Sequence, residues 1–181
     1  MTPTARSIAW SSDLPRPVWL LDVDGVLNAS RPGWGKPPVT RVAYADGLGY
    51  KIRFAVGLCT WLRRLHAGGR VDIRWATTWV DEIDQIEKAM RLPSWPCAFS
   101  LKAPEADGDV EKYRAAIRVV EVERRPLIWT DDAAIPADGS LAYARLTAPG
   151  VPLHIARPQL NRGLQPADLV AIEAFLSDIG H

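Results

Sequence analysis

Cysteine and net charge are both scarce in this chain. Its two cysteines, Cys59 and Cys97, form no metal-binding spacing, so we expect buried free thiols in a reducing cytosol. The 22 Lys and Arg residues nearly balance 21 Asp and Glu, and a net charge of +1 gives no overall attraction to nucleic acid or membranes. No stretch approaches the length of a membrane span, and residues 1–10 lack the apolar core of a signal peptide. We therefore expect a cytoplasmic protein without a membrane partner.

The remaining composition is that of a folded protein, with 48% hydrophobic and 24% charged residues. We expect residues 1–15, which are rich in Ser, Thr and Pro, to form a loose lead-in, and residues 16–181 to form a single domain. Short apolar segments alternate with helical patterns, which predicts an α/β fold with a Rossmann-like parallel sheet and helices on both faces. The expected strands cover 18–23, 71–76, 97–99, 127–130 and 151–155, and the helices 55–66, 80–90, 109–122, 140–146 and 166–176.

Residues 28–54 interrupt this alternation as a short flap after the first strand. The segment is rich in Pro and Gly, and Asp46-Gly47 predicts a hairpin turn between strands at 42–45 and 50–54. Five basic residues against one acid give the flap a local charge of +4; the basic residues are Arg31, Lys36, Arg41, Lys51 and Arg53. With Trp34, Tyr44 and Tyr50 available to stack bases, the flap could bind a polyanion. The alternative is a solvated loop whose aromatic side chains pack on the body.

The first strand ends in Asp22-Val23-Asp24-Gly25. Alternate residues of a strand face the same side, so both carboxylates could face one site at the end of the sheet where α/β proteins bind ligands. Two anions held close together repel unless a cation lies between them. The pattern predicts a Mg²⁺ site with an aspartate available as nucleophile; the alternative is a solvated turn after an edge strand.

Two further strand ends and one helix offer matching groups. The strand at 127–130 ends in the pair Asp131-Asp132, and the strand at 71–76 ends in Thr77 and Thr78. Lys112 lies near the start of a helical stretch between these two strands. Thr77 and Lys112 also have ordinary structural alternatives: Thr77 could cap the end of a strand, and Lys112 could be a solvated surface lysine.

These residues resemble the four motifs of the haloacid dehalogenase-like (HAD) superfamily of phosphatases and phosphotransferases. Asp22-Val23-Asp24-Gly25 resembles its first motif, Thr77 (or Thr78) its second, Lys112 (or Lys102) its third and Asp131-Asp132 its fourth. The resemblance covers about residues 16–135. A closer resemblance is to the small HAD domains of bacterial RNA-repair fusion proteins, on the segments 75–79, 126–132 and 160–164.

The resemblance implies a HAD-like fold and a phosphatase mechanism. Asp22 would be the nucleophile, Asp24 the general acid and base, and Thr77 and Lys112 would bind the phosphoryl group. Mg²⁺ would bridge Asp22, the backbone carbonyl of Asp24 and Asp131, with Asp132 either as a further ligand or as a residue that supports the ligands. Because the chain has no room for a large cap domain, we expect an open site.

The expected partner is a phosphorylated substrate, with a nucleic-acid end or a nucleotide as the candidates. Around the reacting group, the residues expected to contact this substrate are Thr78, Trp79, Arg31 and Lys36. Two other functions stay open: a HAD-fold module that binds phosphate without turnover, and a small-metabolite phosphatase for which the basic flap is incidental.

Overall fold

A computed structural model of the protein describes residues 15–101 and 107–181. The expected lead-in, apart from Pro15, and the alternative motif lysine Lys102 therefore lie outside the described residues. The described strands are β1 Val18–Leu21, β2 Val39–Ala45, β3 Leu48–Phe54, β4 Asp72–Trp75, β5 Leu127–Thr130 and β6 Leu153–Ala156. The described helices are α1 Val56–Ala67, α2 Ile83–Met90, α3 Gly108–Ile117, α4 Leu141–Thr147 and α5 Pro166–Asp178.

The central sheet has four parallel strands in the order β4-β1-β5-β6. The two inner strands, Val-Trp-Leu-Leu in β1 and Leu-Ile-Trp-Thr in β5, are buried at every residue. Such continuous apolar strands belong in a sheet that is covered on both faces. The parallel pairing brings the carboxyl ends of β1, β4 and β5 to the same edge of the sheet, where the acidic and hydroxyl residues follow.

Helices cover both faces of this sheet, as the sequence pattern predicts. On one face, Trp19 and Ile73 pack with apolar residues of α1, α2 and α5. On the other face, Leu20 and Trp129 pack with α3, with the π-helix Arg118–Glu123 that continues α3, and with α4. The α/β architecture with a parallel sheet flanked by helices is therefore confirmed.

The flap contains the expected hairpin, with longer strands than the sequence indicates. β2 and β3 pair antiparallel from Val39 opposite Phe54 to Ala45 opposite Leu48. The turn between them places Asp46 and Gly47 at positive φ, which matches the two-residue turn that twists with its strands. The hairpin packs on the body through one face, where Ala43, Ile52 and Phe54 join the core.

Several expected boundaries are wrong. α2 begins at Ile83 rather than at residue 80, because the residues after Thr77 form a turn in which the Glu82 N–H donates to the carbonyl of Trp79. No strand forms at 97–99: Cys97 makes a single bridge to Trp75, and the preceding Pro96 has no N–H with which to extend the pairing. Beyond Ile117, α3 continues as a π-helix over Arg118–Glu123 rather than as α-helix.

The two cysteines are free, but only Cys59 is buried, and Cys97 is half-buried. Within the described residues, no helix combines the length and the apolar character needed to cross a membrane.

Candidate active site

Three carboxylates meet where the two inner strands end. Asp22 follows β1 and Asp131 follows β5, and the register that pairs Leu21 with Thr130 brings these two residues side by side. One carboxylate oxygen from each of Asp22, Asp131 and Asp132 lies within 4.8 Å of the others. Asp22 and Asp131 are buried, with exposed fractions of 4% and 0%, so their charges have little access to water.

Lys112 completes this acidic cluster from helix α3. Its Nζ lies 2.6 Å from Asp22 Oδ2 and 2.9 Å from Asp131 Oδ2, and the residue is only 5% exposed. A solvated surface lysine is therefore the wrong interpretation for Lys112. Because a buried ammonium is stable only beside compensating charge, Lys112 and the two aspartates hold each other in place.

Burial and charge shift the pKa values of these groups. Burial raises the pKa of Asp22 to about 7, with repulsion from Asp131 adding to the rise and Lys112 opposing it. Burial alone would lower the pKa of Lys112, but attraction by Asp22 and Asp131 raises it above its ordinary value. The pKa of Asp132 is also raised, first by burial and then by Asp131. All three shifts reflect an excess of negative charge in a poorly solvated place.

The acidic cluster fits a divalent cation. Three carboxylates against one ammonium leave a formal charge of −2, which a divalent cation would neutralise. Asp131 Oδ2 is buried and pairs with the Lys112 ammonium at 2.9 Å. Because Lys112 is one cation shared by Asp22 and Asp131, it cannot neutralise the whole cluster. Carboxylate oxygens are also the ligands that Mg²⁺ prefers.

Asp24 lies apart from the acidic cluster. Its carboxylate is exposed and accepts hydrogen bonds from Asn28 Nδ2 at 2.6 Å and from Trp79 Nε1 at 2.8 Å. Gly25, at φ +69°, follows directly, and a Cβ there would overlap the Asp132 carboxylate. Glycine is thus required both by its backbone conformation and by the close approach of Asp132. Of the four expected metal ligands, only Asp24 keeps its carboxylate out of the acidic cluster, which leaves its backbone carbonyl as the expected ligand atom.

The two threonines after β4 occupy different environments. Thr77 is fully buried beside the end of β1, and its Oγ1 accepts a 3.4 Å hydrogen bond from the backbone N–H of Trp79. Thr78 is exposed and lines a cavity with Asp24 and Trp79. The local hydrogen bond of Thr77 is the cap-like contact that the alternative interpretation expected, and it occurs at the edge of the sheet where the aspartates lie.

Two open cavities flank Asp24. One, of about 320 Å³, is lined by Thr78, Trp79, Tyr50 and Lys51. The other, of about 450 Å³, is lined by Lys51, Arg53, Ser30 and Asn161. Both cavities also include Asp24 and Asn28, so Lys51 is the flap cation that borders the site on both sides.

The two flap residues singled out as substrate contacts lie elsewhere. Arg31 is exposed and lines neither cavity, while its backbone N–H donates to the carbonyl of Asn161 at 2.7 Å. Lys36 borders a separate cavity with Trp34 and Trp61. Trp34 lies over Gly57 and donates its indole N–H to the carbonyl of Leu164, so for Trp34 the interpretation of an aromatic packed on the body is correct.

Sequence reasoning assigned no site role to Asn28 or to Asn161, although Asn161 lies in the resembling segment 160–164. It also did not single out Lys51 and Arg53 from the other flap cations. Asn28 stands four residues after Asp24, a spacing that gave a weak signal for a contact. Lys51 and Arg53 could have been found from strand alternation, because both point to one face of β3. Asn161 lies in the loop before Gly163, which at φ +62° packs against the carbonyl of Val26 where a Cβ would not fit.

No known family model matches this chain, and a search of curated proteins finds no match either.

Proposed function

We propose that this protein is a Mg²⁺-dependent phosphatase with a HAD-like fold that acts through an aspartyl-phosphate on Asp22. The observation that carries the proposal is the acidic cluster, in which a buried lysine joins Asp22 and Asp131 beside a third carboxylate. A cluster that only stabilised the fold would not need three carboxylates for one ammonium. The resemblance to the HAD motifs assigns the same residues.

In the first proposed step, an Asp22 oxygen attacks the phosphorus of a phosphate monoester. The new bond joins Asp22 to phosphorus, the bond from phosphorus to the leaving oxygen breaks, and Asp24 gives that oxygen a proton. In the second step, water attacks the phosphorus while Asp24 takes a proton from it. The bond to Asp22 then breaks, which releases phosphate and restores the free carboxylate.

The remaining residues stabilise charge and position the phosphoryl group. Lys112 favours the ionised form of Asp22 and offsets charge on the phosphoryl group. The Thr77 hydroxyl would donate to a phosphoryl oxygen. Asp22, Asp131 and Asp132 would hold Mg²⁺ together with the Asp24 carbonyl, and the cation would let an anionic nucleophile approach an anionic phosphate.

A nucleic-acid end or a nucleotide is the favoured substrate, and the hairpin supports this choice. Residues that pair directly across an antiparallel hairpin share a face, so one face of β2 and β3 carries Thr40, Val42, Tyr44, Gly49, Lys51 and Arg53. We call this the outer face. Tyr44 is 58% exposed, and its ring lies along Gly49, where a Cβ would come within 3.3 Å.

The outer face combines an exposed ring with cations that reach the site. Lys51 and Arg53 border the cavities beside Asp24, as phosphate-binding residues next to a reacting phosphate would. The Tyr44 ring could stack a base further along the strand. A small-metabolite phosphatase would not require this arrangement.

A substrate screen tests the proposal. Purified protein is assayed with Mg²⁺ against an aryl phosphate, nucleotides, and oligonucleotides phosphorylated at the 3′ or the 5′ end. We expect phosphate release that stops with EDTA, and higher kcat/KM for phosphorylated oligonucleotides than for the aryl ester. Preference for a small ester would favour a metabolite phosphatase. Binding of phosphorylated ligands without any release would favour a non-catalytic module.

A further inference from the structure

Both oxygens of the Asp24 carboxylate are held by side-chain donors. Oδ1 accepts from Asn28 Nδ2 at 2.6 Å, and Oδ2 accepts from Trp79 Nε1 at 2.8 Å. An exposed aspartate ordinarily samples several side-chain rotamers, so two directional hydrogen bonds restrict its orientation. The orientation of Asp24 is therefore set by groups outside its own strand end.

Trp79, the donor to Oδ2, is held in place by contacts of its own. Trp79 is 7% exposed, and its ring meets the Tyr50 ring edge to face, with 5.5 Å between centroids and an interplanar angle of 86°. Its backbone N–H donates to Thr77 Oγ1. The indole thus spans from the strand end that bears Thr77 to the hairpin, with its one polar atom directed at Asp24.

Asn28, the donor to Oδ1, is held in place by a hydrogen bond from the hairpin. Its Oδ1 accepts a 2.8 Å hydrogen bond from the backbone N–H of Arg53 in β3, which leaves its Nδ2 to face Asp24. Residues Asp24 and Asn28 also form a backbone bridge. The hairpin therefore supports Asp24 on both sides, through Tyr50 and Trp79 on one and through Arg53 and Asn28 on the other.

We infer that Trp79 is a positioning residue that aims the Asp24 carboxylate at the leaving group, with Asn28 holding the second oxygen. This inference rests on the proposed function, in which Asp24 protonates the leaving oxygen. A proton donor is effective only within hydrogen-bond reach of the atom it protonates, so a freely rotating Asp24 would lose rate. Loss of the Trp79 indole donor should therefore lower the rate in the same way as loss of the Asp24 carboxylate, but to a smaller extent.

The leaving group gives a readout that a purely structural role would not move. A nitrophenyl phosphate has a leaving group that departs without a proton, whereas an alkyl phosphate such as a nucleoside monophosphate requires one. We expect Trp79→Phe to lower kcat/KM for the alkyl ester at least about tenfold more than for the aryl ester, as expected for one hydrogen bond to a charged group. Asp24→Asn should show the same selectivity more strongly.

Trp95→Phe is the matched control. Trp95 is 4% exposed and donates its indole N–H to His66 Nδ1 at 3.0 Å, so Trp95→Phe loses a comparable, partly buried hydrogen bond away from Asp24. Trp95→Phe should change both esters by the same factor. Equal losses on both esters in Trp79→Phe, with an active wild-type protein, would overturn the positioning role alone.

A second measurement does not depend on turnover. In a ¹H–¹⁵N spectrum, the Trp79 indole signal is assigned by its loss in Trp79→Phe, and it should shift in Asp24→Asn while the Trp95 indole signal stays in place. An unmoved Trp79 signal would contradict the hydrogen bond and with it the inference. If the wild-type protein hydrolyses neither ester, the proposed function is wrong and the positioning role falls with it.

Discussion

The Lys112 ammonium lies between the carboxylates of Asp22 and Asp131, 2.6 Å from one and 2.9 Å from the other. Asp22 and Asp131 directly follow β1 and β5, and Lys112 lies in α3, so the contact ties the ends of the two central strands to a helix on one face of the sheet. The same contact makes Lys112 important for folding as well as for the proposed chemistry.

Replacing Lys112 by Met should destabilise the metal-free protein by about 3–5 kcal/mol, because it leaves two buried carboxylates without their cation. Urea unfolding at neutral pH in EDTA measures this difference in unfolding free energy. Lys88→Met, on an exposed position of α2, should change it by less than about 0.5 kcal/mol. A Lys112→Met protein as stable as wild type would contradict the ion-pair account.

Mg²⁺ should stabilise the folded protein, because the acidic cluster exists only there. Binding to one folded-state site adds about 2.7 kcal/mol at a concentration 100 times Kd. Thermal melts with increasing Mg²⁺ should show a rising Tm for wild type and a lost or much smaller rise for Asp131→Asn. Asp138→Asn is the matched control, since Asp138 is exposed and pairs with Arg157 outside the cluster. An equal rise in Asp131→Asn would remove Asp131 from the metal site.

The outer face of the hairpin should matter for large substrates only. Lys51→Gln with Arg53→Gln should lower kcat/KM for a phosphorylated oligonucleotide far more than for an aryl phosphate, and should flatten its dependence on salt. Arg31→Gln with Lys36→Gln removes the same charge away from the two cavities and should have a smaller effect. The two double variants would behave alike if overall flap charge, rather than position, bound the substrate.

A second charged network predicts the response to acid. Arg74 contacts both Asp72 and Glu123, and Arg125 reaches the same two carboxylates. Hydrogen bonds from Arg74 lower the pKa of Glu123; burial alone would raise the pKa of Asp72, but Arg74 and Arg125 bring it below its usual value. Since these carboxylates hold their charge more firmly when folded, the stability they contribute is present above their unfolded-state pKa values and is lost as pH falls through the folded ones.

The stability gap between wild type and Glu123→Gln should therefore close as pH falls from about 5 to about 2. Chemical unfolding at a series of pH values measures it, and high salt should narrow the gap at every pH because the network is partly exposed. A gap that stays constant across this range would show that Glu123 stabilises by packing rather than by charge.

The sequence predicted the parallel sheet well because its buried strands are short, apolar and bounded by clear breaks. The predicted parallel sheet also placed Asp22 and Asp131 at the same edge, because the carboxyl ends of parallel strands lie at one edge of the sheet. The predicted start of α2 was wrong because the residues after Thr77 form a turn that the Glu82 N–H closes on the Trp79 carbonyl. The side chain of Trp79 in this turn contacts Asp24 and Tyr50, which are distant in sequence, so no local pattern signals the turn.

The flap was the least predictable part of the site. Its composition identified a basic hairpin, but which cations reach Asp24 depends on the face that packs on the body. The face of the hairpin that carries Ala43 and Ile52 packs on the body, so Lys51 and Arg53 lie on the opposite face. Lys36 precedes the hairpin and borders a separate cavity. Charge counting cannot make this distinction, since it depends on strand register.

The most direct test of the central claim is phosphate release by Asp22→Asn, compared with wild type in Mg²⁺ on the best substrate of the screen. Asparagine keeps the size of the side chain but cannot form the covalent intermediate, so the rate should fall on the order of 10⁴-fold or more. Thermal melting of the same sample verifies that the variant is folded. Wild-type turnover by a folded Asp22→Asn protein would contradict covalent catalysis by Asp22.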